Sequence, residues 1–186
     1  MAPRSSVLST ADARRTTVIS AALSEFALTG YLGTTVASIA QHAAISPAYV
    51  FKLFPGKEPL FVAALEQCFD LIVDALEQGA ATAASQTPAG ILDAMGGAYA
   101  ELIADRRLLM LQVHAQSAAD VPEIGAALRR GLAKVTLFAK SRSGASDEEV
   151  QRFIAFGQLC HLIVTTGIED DTSVWAEILN RGIRHP

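Results

Sequence analysis

The chain of 186 residues is 51% hydrophobic and 18% charged, with a mean hydropathy of +0.31. Because such a chain can bury a large core, its composition excludes disordered and collagen-like proteins. The net charge of −4 is unevenly divided: residues 1–57 carry five basic and two acidic groups, and the remainder carries ten basic and seventeen acidic groups. A basic N-terminal third joined to an acidic body is typical of a polyanion-binding domain attached to a non-binding one.

The cysteine content and the longest apolar stretch bear on the compartment. Cys68 and Cys160 stand far apart and no signal-peptide pattern precedes them, which predicts a cytoplasmic protein with reduced thiols. The longest apolar stretch, residues 153–168, is interrupted by Gln158 and His161. It is too short and too polar to span a bilayer, so we expect no membrane partner.

Apolar residues recur at three- and four-residue spacing along the whole chain, which predicts an all-α protein. Residues 1–10 lack this spacing and are expected to form a flexible arm. A first helix is expected at about 11–29, because Gly30 suits the left-handed position that ends a helix.

Two short helices joined by a tight turn follow. Thr35 is a good N-cap for the first of them, and Ser46 caps the second, with Pro47 in its first turn. The apolar spacing of the second helix leaves Tyr49 and Lys52 on its outward side. This pair predicts a helix-turn-helix, which places its second helix in the DNA major groove, although an ordinary helical hairpin has the same pattern.

A long helix at about 57–84 and a group of shorter ones complete the chain. The shorter helices are expected at 88–104, 106–118, 123–142, 147–166 and 172–182. We therefore divide the chain into an arm (1–10), a helix-turn-helix domain (11–56) and a second helical domain (57–186).

The N-terminal third carries an ordered set of short motifs. These are Gly30-Tyr31, Thr34-Thr35, Ile39-Ala40, Ala43-Ala44-Ile45-Ser46, Val50-Phe51-Lys52-Leu53-Phe54 and Lys57-Glu58. With them, residues 12–65 resemble the TetR family of bacterial transcriptional regulators. The resemblance implies a homodimer whose second domain (57–186) binds a small effector and dimerises through its last two long helices. Such proteins are usually repressors that the effector releases from operator DNA.

The resemblance also implies which side chains face the DNA. They are Thr34, Thr35, Ser46, Pro47, Tyr49, Lys52 and Lys57. Three positions depart from the family pattern: Ala48 stands for a common glycine, Phe51 for a tyrosine that binds phosphate, and Leu53 for a histidine or tyrosine. These departures predict weaker phosphate binding. They leave open an alternative function, a helical small-molecule-binding dimer that has lost operator binding.

The second domain has the composition of a ligand site, with apolar walls and few polar groups. The candidate effector-pocket residues are Phe69, Met95, Tyr99, Met110, Val113, His114, Phe138 and Phe156. The same residues are typical of an ordinary core, so both interpretations stay open. His114 and Gln116 are the better polar candidates, since a mid-helix imidazole needs a partner. The scarcity of cations in these segments favours a neutral or apolar effector.

The last two predicted helices carry apolar residues on more faces than one core can absorb, which predicts a homodimer. The candidate interface consists of Phe156, Gly157, Cys160, Val164, Trp175 and Leu179. Two-fold symmetry then places the two recognition helices on a near-palindromic operator.

Neither catalysis nor metal binding is predicted. The four histidines form no pair at i, i+4, and the neighbours Cys160 and His161 point in different directions on a helix, which argues against zinc. A nucleophilic pair of a cysteine with His114 has no orienting group, so a core position is the better interpretation of Cys160. We expect no cofactor.

Overall fold

The computed structural model describes residues 10–183. This range contains helices and turns but no strand, which confirms the predicted all-α class. Its nine α-helices are α1 (Thr10–Gly33), α2 (Val36–His42), α3 (Pro47–Leu53), α4 (Lys57–Ala81), α5 (Pro88–Leu102), α6 (Arg106–Ser117), α7 (Pro122–Ser143), α8 (Asp147–Thr166) and α9 (Val174–Asn180). Residues 1–9 of the expected arm lie outside the described range.

Most helices begin where the sequence predicts, because a side-chain oxygen caps the first turn. The Thr35 hydroxyl accepts the backbone N–H of Ser38 at 3.0 Å, and the Ser46 hydroxyl accepts that of Tyr49 at 3.3 Å. Thr87 and Ser146 cap α5 and α8 in the same way. The helix starts are therefore decided locally.

Gly30 bends α1, whereas the sequence predicts that the helix ends there. Its φ of 69° lies in the left-handed region, yet a further helical turn continues to Gly33. A Cβ at position 30 would lie 2.9 Å from Nδ1 of His114 on α6. Glycine is thus required both by the backbone conformation and by the close approach of α6.

One continuous core joins the first three helices to the rest of the chain. α4 lies at its centre and packs against α1, α5 and α7. In the second turn of α4, the fully buried ring of Phe61 meets Phe26 edge-on, with 4.7 Å between the ring centroids, and Tyr31 at 5.5 Å. The N-terminal helices are therefore anchored to the body through aromatic packing on α4.

α4 and α7 form a closely packed pair. The α7 backbone at Gly131 lies directly against the ring of Phe69, so that any Cβ at position 131 would overlap that ring. Three ion pairs tie the two helices together on the outside: Glu66–Arg130, Asp70–Lys134 and Glu77–Arg142. A displacement of α7 would consequently also displace α4.

The C-terminal helix is shorter than predicted. α9 covers only Val174–Asn180, where the sequence predicts a helix at 172–182. The Asn180 amide donates to the Ile168 carbonyl at 3.1 Å, which ties the end of α9 back to the turn that follows α8. The expectation of two long final helices is therefore wrong for α9.

Candidate DNA interface and ligand cavity

α2 and α3 are joined by a four-residue turn, residues 43–46. Ala44 has a φ of 53°, in the left-handed region, and the N–H of Ile45 donates to the Ala40 carbonyl at 3.0 Å. These bonds and the caps on both helices hold α3 at a defined angle to α2. The observed pair has the geometry of a helix-turn-helix.

The outward side of α3 is small and polar at its start. Ser46, Pro47 and Lys52 are exposed, and Tyr49 is half-buried. Thr35, at the start of α2, is exposed as well, although its hydroxyl is engaged in the capping box with Ser38. Four residues of the expected DNA-facing set are therefore exposed, and Tyr49 is partly so.

Thr34 is a correction to the expected DNA-facing set. Its side chain is 2% exposed, and its hydroxyl lies 2.7 Å from the Gly30 carbonyl oxygen and 2.7 Å from the Thr29 hydroxyl. A buried hydroxyl with these partners stabilises the bend of α1 and cannot reach DNA. The next residue, Thr35, is the N-cap of α2 and is exposed.

Lys57, also in the expected set, is held by protein groups. Its ammonium donates to the Thr34 carbonyl at 3.2 Å and lies 4.6 Å from the centroid of the Tyr31 ring. Lys57 therefore joins the first turn of α4 to the end of α1. Its contact with DNA stays a prediction.

Arg15 is a residue that the sequence analysis missed. Its guanidinium donates to the Leu53 carbonyl at 3.0 Å, at the end of α3, and lies 4.1 Å from the centroid of the Phe54 ring. It thus satisfies a carbonyl at the C-terminal end of α3 from α1. The sequence holds no local sign of this contact, since 38 positions separate the two residues.

A cavity of about 370 Å³ lies in the body, between α4, α5, α6, α7 and α8. Its apolar lining consists mainly of Phe69, Ile72, Leu76, Leu92, Leu132, Val135, Phe153 and Phe156, and its polar lining includes Tyr99 and Gln112. A volume of this size and an apolar wall with a few polar groups are typical of small-molecule sites.

Three of the eight predicted pocket residues, Phe69, Tyr99 and Phe156, line this cavity. The other five point elsewhere. Met95 is fully buried in the main core, Phe138 packs on that core, and Met110 and Val113 pack against a second cluster around Ile103 and Leu109. His114 lies against Gly30 of α1, and Gln116 donates to Gln158 at 2.8 Å on the surface.

Tyr99, Gln112 and His161 form a polar cluster beside the cavity. Gln112 Nε2 donates to Tyr99 Oη at 3.2 Å, and Tyr99 Oη lies 2.5 Å from Nε2 of His161. Burial raises the pKa of Tyr99 and lowers the pKa of His161 to about 4, so both side chains are neutral near pH 7. Gln112 was missed, although it is a polar residue within the apolar stripe of α6.

Acidification is expected to destabilise the protein through His161. Its imidazole takes up a proton below about pH 6.5 in the unfolded chain but only near pH 4 when buried, so acid favours unfolding. The contribution is complete above pH 6.5 and is lost towards pH 4, amounting to about 3 kcal/mol. Urea unfolding at pH 7, 5.5 and 4.5 should show a shallower loss in His161→Gln than in the parent. Equal losses would contradict this assignment.

The predicted interface residues divide into two groups. Cys160 and Val164 are corrections, because both are buried within the protomer against Ile103 and Leu109 and cannot meet a partner. Phe156 and Trp175 are 49% and 53% exposed. Gly157 and Leu179 are partly buried. Three further exposed apolar residues on α8 and α9 were missed: Leu162, Val174 and Ile178.

No group of three or more histidine, cysteine, aspartate or glutamate side chains within residues 10–183 is arranged to hold a metal ion. No helix of the described range combines the length and hydropathy needed to cross a bilayer.

Comparison with known sequences places the N-terminal region in a recognised group. Residues 18–64, from α1 to the start of α4, match the profile of bacterial regulatory proteins of the tetR family. The HTH-type transcriptional regulator RutR of Escherichia coli strain K12 is 37% identical over 60 residues, which is 32% of this chain and 28% of RutR. The match thus spans less than a third of that relative's length.

Solved structures match nearly the whole chain. The fatty acid degradation regulator FadR from Bacillus halodurans is 16% identical, with a TM-score of 0.68, over 93% of this chain and 97% of that one. A TetR-family member from Streptomyces coelicolor A3 is 20% identical, with a TM-score of 0.67, over 92% and 98%. The multidrug binding protein EbrR, solved with imidazole, is 19% identical, with a TM-score of 0.65, over 93% and 96%. These likenesses show the shared fold.

Proposed function

We propose that the chain, whose residues 18–64 match the profile of the tetR family, is a sequence-specific DNA-binding repressor that a small molecule releases from its operator. The observation that carries this proposal is the capped α2–α3 pair, whose outward surface combines Ser46, Pro47, Tyr49 and Lys52. Hydroxyl groups, backbone N–H groups at a helix start and a cation are the groups that bind phosphate oxygens. Bound in the major groove, α3 would read the base edges.

We propose that a homodimer binds the operator. The exposed apolar residues Phe156, Leu162, Val174, Trp175 and Ile178 belong to α8 and α9, at the far end of the chain from α3. Burying them against a second copy removes apolar surface from water. A two-fold dimer then presents two copies of α3 to a near-palindromic site.

The cavity is the candidate effector site, and two helices connect it to the DNA-binding helices. α4 runs from Lys57 beside the helix-turn-helix to Phe69 and Leu76 in the cavity wall. α6 carries Gln112 in the wall and contacts α1 through Arg107, which donates to the Ser24 hydroxyl at 2.9 Å. An effector weakens DNA binding only if it binds more tightly to the protein in its non-DNA-binding arrangement than in its DNA-binding arrangement.

The names of two structural neighbours agree with an effector site of this kind. FadR is described as a fatty acid degradation regulator and EbrR as a multidrug binding protein. The largely apolar lining of the present cavity supports a related role in this chain.

Selection of genomic fragments by the purified protein, at a stated salt concentration, tests the proposal. Recovery of a near-palindromic sequence is expected. The alternative is a helical dimer that binds small molecules but no operator, and the exposed ring of Phe51 on α3 favours it, since a phenylalanine offers no hydroxyl to phosphate. Selection of no palindromic site, with a ligand bound in the cavity, would support that alternative.

Lys52→Ala is expected to weaken operator binding at all sequences and to reduce the salt dependence by roughly one unit of slope. Lys52 is exposed in the last turn of α3, where its ammonium can reach a phosphate. The measurement is fluorescence anisotropy with labelled operator between about 50 and 200 mM salt. Lys134→Ala is the matched control, because this exposed lysine lies on α7 and pairs with Asp70. An unchanged slope in Lys52→Ala would mean that α3 does not contact the backbone as proposed.

A further inference from the structure

We propose that the cavity binds an uncharged, largely apolar molecule that carries one hydroxyl group. This hydroxyl donates a hydrogen bond to the side-chain oxygen of Gln112, next to the hydroxyl of Tyr99. This inference rests on the proposed function, in which the cavity is the effector site. Its chemistry is derived from the side chains that line the cavity.

The hydrogen bonds of Gln112 determine which group it offers to a ligand. Its amide nitrogen donates to the Leu108 carbonyl at 3.1 Å and to Tyr99 Oη at 3.2 Å. Because the Leu108 carbonyl can only accept, the amide nitrogen must face it, and both amide hydrogens are then used. No described residue donates to the remaining Gln112 carbonyl oxygen, although the side chain is 5% exposed and lines the cavity. An acceptor in such surroundings favours a ligand with a hydrogen-bond donor.

The neighbouring His161, which does not line the cavity, also has an incomplete set of hydrogen bonds. Its Nε2 is 2.5 Å from Tyr99 Oη, while its Nδ1 is buried without a hydrogen-bond partner among the described residues. The cluster therefore holds polar groups whose hydrogen bonds the described part of the protein leaves incomplete. Because buried polar groups are normally hydrogen-bonded, such a cluster indicates that a further polar group binds there.

The charged groups around the cavity are already engaged. Glu149 accepts the N–H and hydroxyl of Ser146 at 2.7 and 2.8 Å, and Arg152 donates to Glu148 at 2.9 Å. Asp93, the remaining charged residue of the lining, also has an interaction partner. A carboxylate or ammonium entering the cavity would lose its hydration and would have to compete with these existing partners for a counter-charge. The arrangement favours an uncharged ligand.

The walls select for shape and apolar surface. Phe69, Phe153 and Phe156 supply aromatic surface, and the Gly131 backbone holds the Phe69 ring in position. About 370 Å³ is enough for one substituted ring with a short alkyl chain. An alkylphenol therefore serves as a probe of the proposed class.

Three matched probes test this inference: 4-pentylphenol, its methyl ether 4-pentylanisole, and 4-pentylbenzoate. Binding to the full chain is measured by titration calorimetry without DNA. We expect the phenol to bind about tenfold more tightly than the ether, because the ether cannot donate to Gln112, and the ionised benzoate to bind most weakly. Gln112→Leu should bring the phenol to the affinity of the ether and leave the ether's own affinity nearly unchanged.

Two further variants keep the test decisive. Gln151→Leu is the matched control, because this glutamine is exposed on α8 and does not line the cavity. Tyr99→Phe removes one hydroxyl and retains the ring, and it should also reduce the preference for the phenol even if Gln112→Leu does not fold.

Equal affinities for phenol and ether, tightest binding of the benzoate, or binding of none of the three probes would overturn the inference. These outcomes are separable from failure of the proposed function. A protein that selects an operator but ignores the hydroxyl refutes the inference alone, whereas a protein that prefers the phenol but selects no palindromic DNA refutes the regulator function and supports the cavity chemistry.

Discussion

Substitution of Trp175 and Ile178 by glutamate is expected to yield a monomer and to weaken operator binding about a hundredfold or more. Both side chains are on α9, and they are 53% and 61% exposed in the protomer, so the substitutions should not disturb its core. In the proposed dimer they would bury carboxylates without partners, which opposes association. Once the dimer is lost, each α3 binds its half-site without the second one nearby, and the gain from linked binding disappears.

Sedimentation equilibrium gives the mass of the double variant, and anisotropy at fixed salt gives its affinity for the selected operator. Leu137→Glu is the matched control, because Leu137 is an exposed leucine (67%) on α7, outside the proposed interface. It should remain dimeric and bind DNA normally. A dimeric double variant would contradict the assigned interface, and a monomer with undiminished affinity would contradict the two-fold mode of DNA binding.

Phe61→Ala is expected to reduce the free energy of unfolding by about 3–5 kcal/mol, the range for loss of a buried aromatic side chain. Phe61 is fully buried and is in ring contact with Phe26 and Tyr31 of α1. Its loss leaves a cavity between the DNA-binding helices and α4. We therefore also expect weaker operator binding at temperatures at which the parent is fully active, since α1 loses its aromatic contacts with α4.

Urea unfolding at 25 °C measures the change in stability. The control is Leu71→Ala, because Leu71 lies on the solvent side of the same helix and is 36% exposed. It should cost far less than Phe61→Ala. A loss below about 1 kcal/mol in Phe61→Ala would show that the aromatic cluster does not anchor α1 to α4.

The positions of the helices and most of their first residues could be predicted from the amino-acid sequence. Thr35, Ser46, Thr87 and Ser146 each cap a helix through a backbone N–H three residues away, so the signal and its effect lie in the same short segment. The all-α class followed from apolar spacing, which reports one helix at a time. An ordered set of motifs in residues 12–65 predicted a likeness to the TetR family, and residues 18–64 match the profile of that family.

Which of these helices pack against each other, and therefore which residues form the candidate sites, depends on the tertiary structure. Thr34 and Thr35 are adjacent and chemically alike, yet Thr34 is buried against Gly30 because α1 bends there. Met95 and Tyr99 are one turn apart on α5, but only Tyr99 lines the cavity, since the crossing angles of α4, α6 and α8 determine which strip of α5 is covered.

Long-range contacts explain the remaining differences. Arg15 reaches the end of α3, and Tyr99 meets both Gln112 and His161, through contacts between different helices. Cys160 and Val164 share apolar character with Phe156, but their direction on α8 turns them towards Ile103 and Leu109. Helical periodicity specifies that a face is apolar, whereas the choice between a core, a cavity and a partner as its neighbour depends on the packing of all the other helices.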